Sequence, residues 1–202
     1  MKRIYAIAAG TALAALIAGT WYATQPTAGD PFASCRGGKV AGSIGGPFEL
    51  VNGGGETVTD ADVITEPALL YFGYTFCPDV CPLDTVRNAE AVDILAERGQ
   101  SVTPVFISVD PKRDTPQVVG EFAANVHERM IGLTGSMEQI DAAKKAYRAF
   151  SRVNDDGTDY YLVDHSTFTY LVLPDHGFVE FFKRGDTPEQ MADRVGCFLE
   201  NT

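Results

Sequence analysis

Hydrophobic positions change their rhythm several times along the chain, and each change marks an element. Residues 4–29 carry no charge, and the most apolar part, residues 4–22, is about as long as the roughly 20 residues that cross a bilayer. Residues 24–45 are rich in Gly, Pro and Ala without a pattern, as in a tether. The segments 46–51 and 56–59 flank Asn52-Gly53-Gly54-Gly55 and predict a short hairpin. Residues 68–73 form an apolar run of strand length. After Pro82, Val86, Ala89, Val92 and Leu95 recur at helical spacing until Gly99 stops them. Residues 103–109 read as a buried parallel strand. Thr115-Pro116 starts a helix, and Ser136-Met137-Glu138-Gln139 is a capping box for another, reaching about Phe150. Residues 168–173 and 178–182 predict strands joined by the turn Pro174-Asp175-His176-Gly177. Thr187-Pro188-Glu189-Gln190 caps a final helix running through Cys197.

Helices alternating with strands, closed by a hairpin and a helix, predict an α/β fold, a thioredoxin-like sandwich with an N-terminal β-hairpin. It is preceded by one N-terminal transmembrane helix. The organisation is a signal-anchor over residues 1–23, a flexible tether over 24–45 and a domain over 46–202. Lys2 and Arg3 ahead of the apolar run keep the N-terminus in the cytoplasm and export the rest. Trp21-Tyr22-Ala23 puts a bulky residue where signal cleavage wants a small one, which favours an uncleaved anchor over a cleaved signal peptide.

Charge narrows the partners. The chain carries −11, and without Lys2 and Arg3 the exported part has 14 basic against 27 acidic residues, or −13. Such a surface repels phosphate backbones, which excludes nucleic acid, and it disfavours anionic lipid heads. No segment marks a dimer surface, so a tethered monomer is expected.

The candidate chemistry lies in Tyr71-Phe72-Gly73-Tyr74-Thr75-Phe76-Cys77-Pro78-Asp79-Val80-Cys81-Pro82, where a buried strand ends and a helix begins. Thiolates form readily there, because a helix N-terminus favours negative charge. The C-x-x-x-C spacing is one residue longer than the usual thiol-redox pair. If it spans the first helical turn, both sulfurs share a face and can hold one soft ion, yet they can also close a disulfide. A soft ion on two thiolates wants an imidazole as third ligand. Of the three histidines, His127 reads as a solvated helix residue and His176 as an exposed turn residue. His165 precedes a core strand, in a loop that faces the cysteine loop in a thioredoxin-like fold. The remaining cysteines, Cys35 and Cys197, are either a disulfide tying the ends of the domain or free thiols, and spacing alone does not choose.

These motifs carry a resemblance. Y-F-G-Y-T-F-C-P-D-V-C-P at 71–82, D-P-K-R-D-T-P at 110–116 and V-D-H-S at 163–166 together resemble the Sco/SenC family, over about residues 46–199. That family comprises membrane-anchored copper proteins supporting assembly of cytochrome c oxidase. The resemblance implies that Cys77, Cys81 and His165 bind copper, and that Asp110 shapes the site or meets a partner unless it simply caps a turn. Asp79 either adjusts thiolate basicity, meets a partner or caps the helix. Asp164 would support His165 only from a direction in which neighbouring extended residues do not point. Two thiolates and an imidazole suit Cu(I), giving a charge of −1, or Cu(II), giving a neutral site. The implied partners are subunit II of cytochrome c oxidase, with its binuclear copper centre, a copper donor protein and a thiol reductant. The implied location is the bacterial inner membrane, single-pass, with the domain in the periplasm.

Competing readings use the same residues. A thiol–disulfide oxidoreductase or redox sensor acting on a partner's cysteines needs Cys77 and Cys81 but not His165. A peroxidase would want Thr three residues before the cysteine, where Tyr74 stands. Zinc could take the same three ligands with a water. Gly53-Gly54-Gly55 lacks the Gly-Lys-Ser/Thr of a phosphate loop, and Ser166 beside His165 defines no catalytic triad. Tyr71, Phe72, Tyr74 and Phe76 read as core, with Tyr74 and Phe76 as candidates for screening the site from water.

Overall fold

A computed structural model describes residues 15–16, 19–21, 30–38, 43–154 and 157–202. The expected anchor falls largely outside these, and among the described residues no helix is long and apolar enough to cross a membrane. Residues 34–202 form one compact unit.

Two strands set the frame. Strands β3 (Ala68–Gly73) and β4 (Thr103–Ser108) are buried at every position, which is why both read as unbroken apolar runs. They pair in parallel from Ala68↔Thr103 to Gly73↔Ser108, so their carboxyl ends reach the same edge of the sheet. The crossover between them is α2 (Val80–Glu97), preceded in the chain by a short α1 (Asp60–Val63). The expected hairpin is β1 (Glu49–Asn52) with β2 (Thr57–Thr59). The later strand β8 (Thr169–Leu173) adds antiparallel to β3, and β9 (Gly177–Phe182) adds antiparallel to β8. Among the described residues the sheet has seven strands in the order β2-β1-β5-β4-β3-β8-β9, with β5 at Ile131–Thr134, the thioredoxin-like arrangement that the pattern predicts. Capping chemistry places the remaining helices. Thr115 accepts the Val118 N–H at the start of α3 (Pro116–Val126). Ser136 and Thr187 make full capping boxes at α4 (Met137–Tyr147) and α5 (Pro188–Glu200).

Three strands lie outside the predicted order. β5 (Ile131–Thr134) extends the sheet beside β4 and gives β1 its partner. β6 (Ser151–Asn154) and β7 (Leu162–His165) form a separate two-stranded ladder. The helix expected to reach Phe150 stops at Tyr147, where Arg148 turns into the left-handed region at φ 53°.

The two terminal cysteines are joined. Cys35 and Cys197 form a disulfide with Cα atoms 5.6 Å apart. Beside it the Gly37 N–H donates to buried Glu180 at 2.6 Å, and the Gly45 N–H donates to the Ala146 carbonyl at 2.9 Å. The compact unit thus starts ahead of residue 46, because these bonds fasten part of the stretch read as tether. Its lack of apolar periodicity hid this, since it is held by a covalent bond and backbone hydrogen bonds.

Candidate metal centre

Where β3 ends, the loop to α2 is pinned by the neighbouring strand connection. Thr75 donates its N–H and hydroxyl to the two oxygens of buried Asp114, at 3.0 and 2.6 Å, and Ser108 donates to the same carboxylate at 2.6 Å. Burial pushes the Asp114 carboxyl up, against those donors. The loop then turns through the Cys77 N–H to the Tyr74 carbonyl. Helix α2 begins only at Val80, so Cys77 precedes it and Cys81 stands in its first turn. The two sulfurs therefore do not come from one helical turn. Asp79 holds the N-cap position without a side-chain capping bond, and the Cys77 sulfur instead accepts the Cys81 N–H at 3.4 Å. A thiol does here what Ser or Asp does at an ordinary helix start. Gly73 leaves the space for this packing. A Cβ there would lie 3.0 Å from Cys81 Sγ and 2.8 Å from the Tyr71 ring.

His165 closes the site from β7. Its Nδ1 lies 2.9 Å from the Ser166 carbonyl, which can only accept, so Nδ1 carries the proton and Nε2 presents a lone pair. Nε2 stands 3.2 Å from Cys81 Sγ. Edge contacts with Tyr71 and Tyr74, at 6.1 and 5.7 Å between centroids, fix the ring plane. The ligand atoms of Cys77, Cys81 and His165 all lie within 4.8 Å of one another.

The two thiols differ electrostatically. Burial opposes ionisation of Cys77, but the N–H groups of Asp79, Cys81 and Val80 and the Cys81 thiol outweigh it and hold its pKa below the ordinary thiol value. Burial dominates at Cys81 and pushes its thiol well up. Burial also lowers the His165 pKa, which favours the neutral imidazole a metal requires. Two soft sulfurs and one neutral nitrogen, partly shielded from water, make a donor set that fits a soft ion such as copper.

The surrounding residues take other roles. Asp110 is buried and accepts from Tyr161 at 2.8 Å and from Arg113 Nε at 2.5 Å, which ties the start of β7 to the β4 connection. Arg113 lies over the Tyr161 ring at 3.7 Å. Tyr74 is buried and does screen the imidazole, whereas Phe76 is 46% exposed and meets the Tyr160 ring at a tilt. Asp164 points away, pairing with Arg152 at 2.8 Å. His176 is exposed in its turn. His127 is less solvated than its polar surroundings imply, because Asp93 holds its ring at 3.1 Å just after α3, and it does not approach the site. Sequence reasoning missed the residues beneath the thiols, Tyr71 and Asp84. Tyr71 reads as one more core aromatic, and the one signal for Asp84 is its spacing of three from Cys81.

The comparisons agree with this geometry. The SCO1/SenC family model matches residues 37–200. Protein SenC of Rhodobacter capsulatus is 60% identical over 173 residues, covering 85% of this chain and 78% of that protein. The crystal structure of Arabidopsis thaliana ScoI with copper bound superposes with a TM-score of 0.74 at 40% identity, covering 79% of this chain and all of that one. BsSco, described with a disulfide switch and as a member of the Sco family of cytochrome c oxidase assembly proteins, superposes with a TM-score of 0.63 at 25% identity, covering 80% of this chain and 97% of that one. On a match that spans nearly the whole described domain, the chain belongs to the SCO1/SenC family.

Proposed function

We propose that this protein is a copper-binding assembly factor for cytochrome c oxidase, in which Cys77, Cys81 and His165 hold copper as cargo for the binuclear centre of subunit II. The observation that carries the reading is the convergence of two sulfurs and a tautomer-fixed imidazole within 4.8 Å. The copper-bound Arabidopsis relative and the assembly role stated for the Sco family support it. Three ligands leave room for a partner's ligands to enter, so the ion can be handed over by exchange without going free. The thiols must be reduced to bind, which requires a thiol reductant as well as a copper donor. Residues 1–23 anchor the domain to the bacterial inner membrane, facing the periplasm, and the Cys35–Cys197 disulfide supports an oxidising compartment. The test is copper per chain after reduction, beside His165→Ala. One retained ion that the variant loses supports the reading, and no retained copper in the parent protein overturns it.

A second reading has its own support. Cys77 and Cys81 are free thiols whose sulfurs lie within 4.8 Å of each other, and BsSco is described with a disulfide switch. A thiol oxidoreductase would keep full exchange activity in His165→Ala.

A further inference from the structure

At the end of the sheet away from the thiols lies a cavity of about 450 Å³. Val172 lines it and pairs with Ala68 at the start of β3, whereas the thiols follow the end of that strand. Small-molecule sites have volumes of roughly 300–1,000 Å³ and are mostly apolar with a few placed polar groups. Ile44, Ile64, Val172, Pro174 and Phe178 supply the apolar surface here. One wall is the loop ahead of β1, and its shape is specified by the sequence. Gly45 sits in the left-handed region at φ 87°, and its N–H is fastened to the Ala146 carbonyl. A Cβ there would lie 3.0 Å from the Phe178 Cβ. Both constraints call for glycine.

Two polar groups border the cavity within this apolar surround. Tyr147 is 2% exposed, with its ring held among Phe48, Phe72 and Tyr170. Its hydroxyl makes no hydrogen bond among the described residues, although buried polar groups are normally paired. Asp60, at the start of α1, is half-buried on the same cavity. Its Oδ1 accepts the Phe48 N–H at a long 3.4 Å, and no basic side chain pairs with it among the described residues. Burial, and then the nearby Asp60 charge, push the Tyr147 phenol well up, so it stays neutral. His176, which also borders the cavity, is exposed.

A primary ammonium suits this pair. Its N–H groups can be shared between the Asp60 carboxylate and the Tyr147 oxygen, both of which accept. An aromatic or aliphatic body then covers the apolar surface. A carboxylate of the same shape would meet Asp60 as a like charge, and the net charge of −11 disfavours anions further.

We propose that this cavity is a second ligand site, which takes a small organic ammonium ion with an apolar body, held by Asp60 and Tyr147. The site rests on neither copper nor the thiols.

The test uses the full chain in lipid nanodiscs with isotope-labelled glycine, followed by amide NMR. Gly45, Gly46 and Gly177 line the cavity, and Gly73 reports on the thiol end. The probe is phenethylammonium, and hydrocinnamate is the anion of similar size. With the cation, the three cavity signals are expected to move saturably while Gly73 stays. The anion should bind at least about tenfold more weakly. Asp60→Asn should weaken cation binding by about tenfold, and Tyr147→Phe by about threefold. Tyr170→Phe, which packs behind Tyr147 and does not line the cavity, should bind as the parent does.

No saturable shift at the cavity glycines overturns the proposal, as does equal binding of the anion or parent-like affinity in Asp60→Asn. Parent-like affinity in Tyr147→Phe, or an equal loss in Tyr170→Phe, overturns the role of the phenol. If thermal melts show Asp60→Asn unfolded, the comparison of cation with anion and the two tyrosine variants decide.

Discussion

Cys81 stands on a helix packed beside strands that are buried at every position, whereas His165 ends a two-stranded ladder most of whose residues face solvent. The sulfur side is fixed by the same packing that holds the domain together. A lone two-stranded ladder is marginal by itself. The imidazole side depends instead on a few named bonds: Tyr161 to Asp110, the Phe150 N–H to the Ser166 hydroxyl at 2.8 Å and the Ser166 N–H to the Phe150 carbonyl at 2.9 Å. Regions with few buried contacts open at lower free energy than the core. The site is thus a rigid pair of thiols closed by a more easily opened imidazole, and opening is expected on the His165 side.

Four experiments bear on this contrast. Replacing both Cys35 and Cys197 with Ser should give the largest effect, about 2–5 kcal/mol of stability lost in denaturant unfolding, because the bond spans most of the domain. Copper per chain should not change; a parallel loss of copper would mean that the site and the global fold are not separable. Gly73→Ala should cost about 1–3 kcal/mol by overpacking, and it should also displace Cys81, so copper retention and stability fall together. Normal copper binding in that variant would show that the sulfur side is less rigid than its packing implies. Tyr161→Phe removes one hydrogen bond to Asp110 and should lower protection of the β6–β7 amides in hydrogen exchange by about 1 kcal/mol, with the global midpoint nearly unmoved. Uniform loss of protection would erase the contrast. Asp164→Asn should do least, leaving copper retention and the unfolding midpoint at parent values, because the Arg152 pair is solvent-exposed.

The contrast also explains what was legible in the sequence. The rigid half announces itself: β3 and β4 are apolar throughout, and Thr115-Pro116, Ser136 and Thr187 carry their caps in the chain. The ladder does not, since Ser151-Arg152-Val153-Asn154 has the composition of a loop and pairs with residues 162–165 through backbone bonds and one exposed side-chain pair, Arg152–Asp164. β5 is four residues with a central Gly132, too short for its alternation to register. The pattern places His165 before a core strand, but the Ser166 carbonyl that fixes its tautomer belongs to the backbone and has no sequence signature. Asp84 looks like any acidic residue on a helix until Arg87 and Tyr71 are seen to enclose it.

The Cys35–Cys197 bond also decides how the domain bears tension. Cys197 borders the same cavity as Arg98, just past the C-terminal end of α2. At 1.5 Å per residue that end is roughly 25 Å along the helix from Cys81. A pull on the chain ahead of Cys35 therefore passes through the covalent bond into α5, bypassing the backbone from 36 onward. The hairpin that begins at Glu49 is shielded from the load, and the thiols sit off its path.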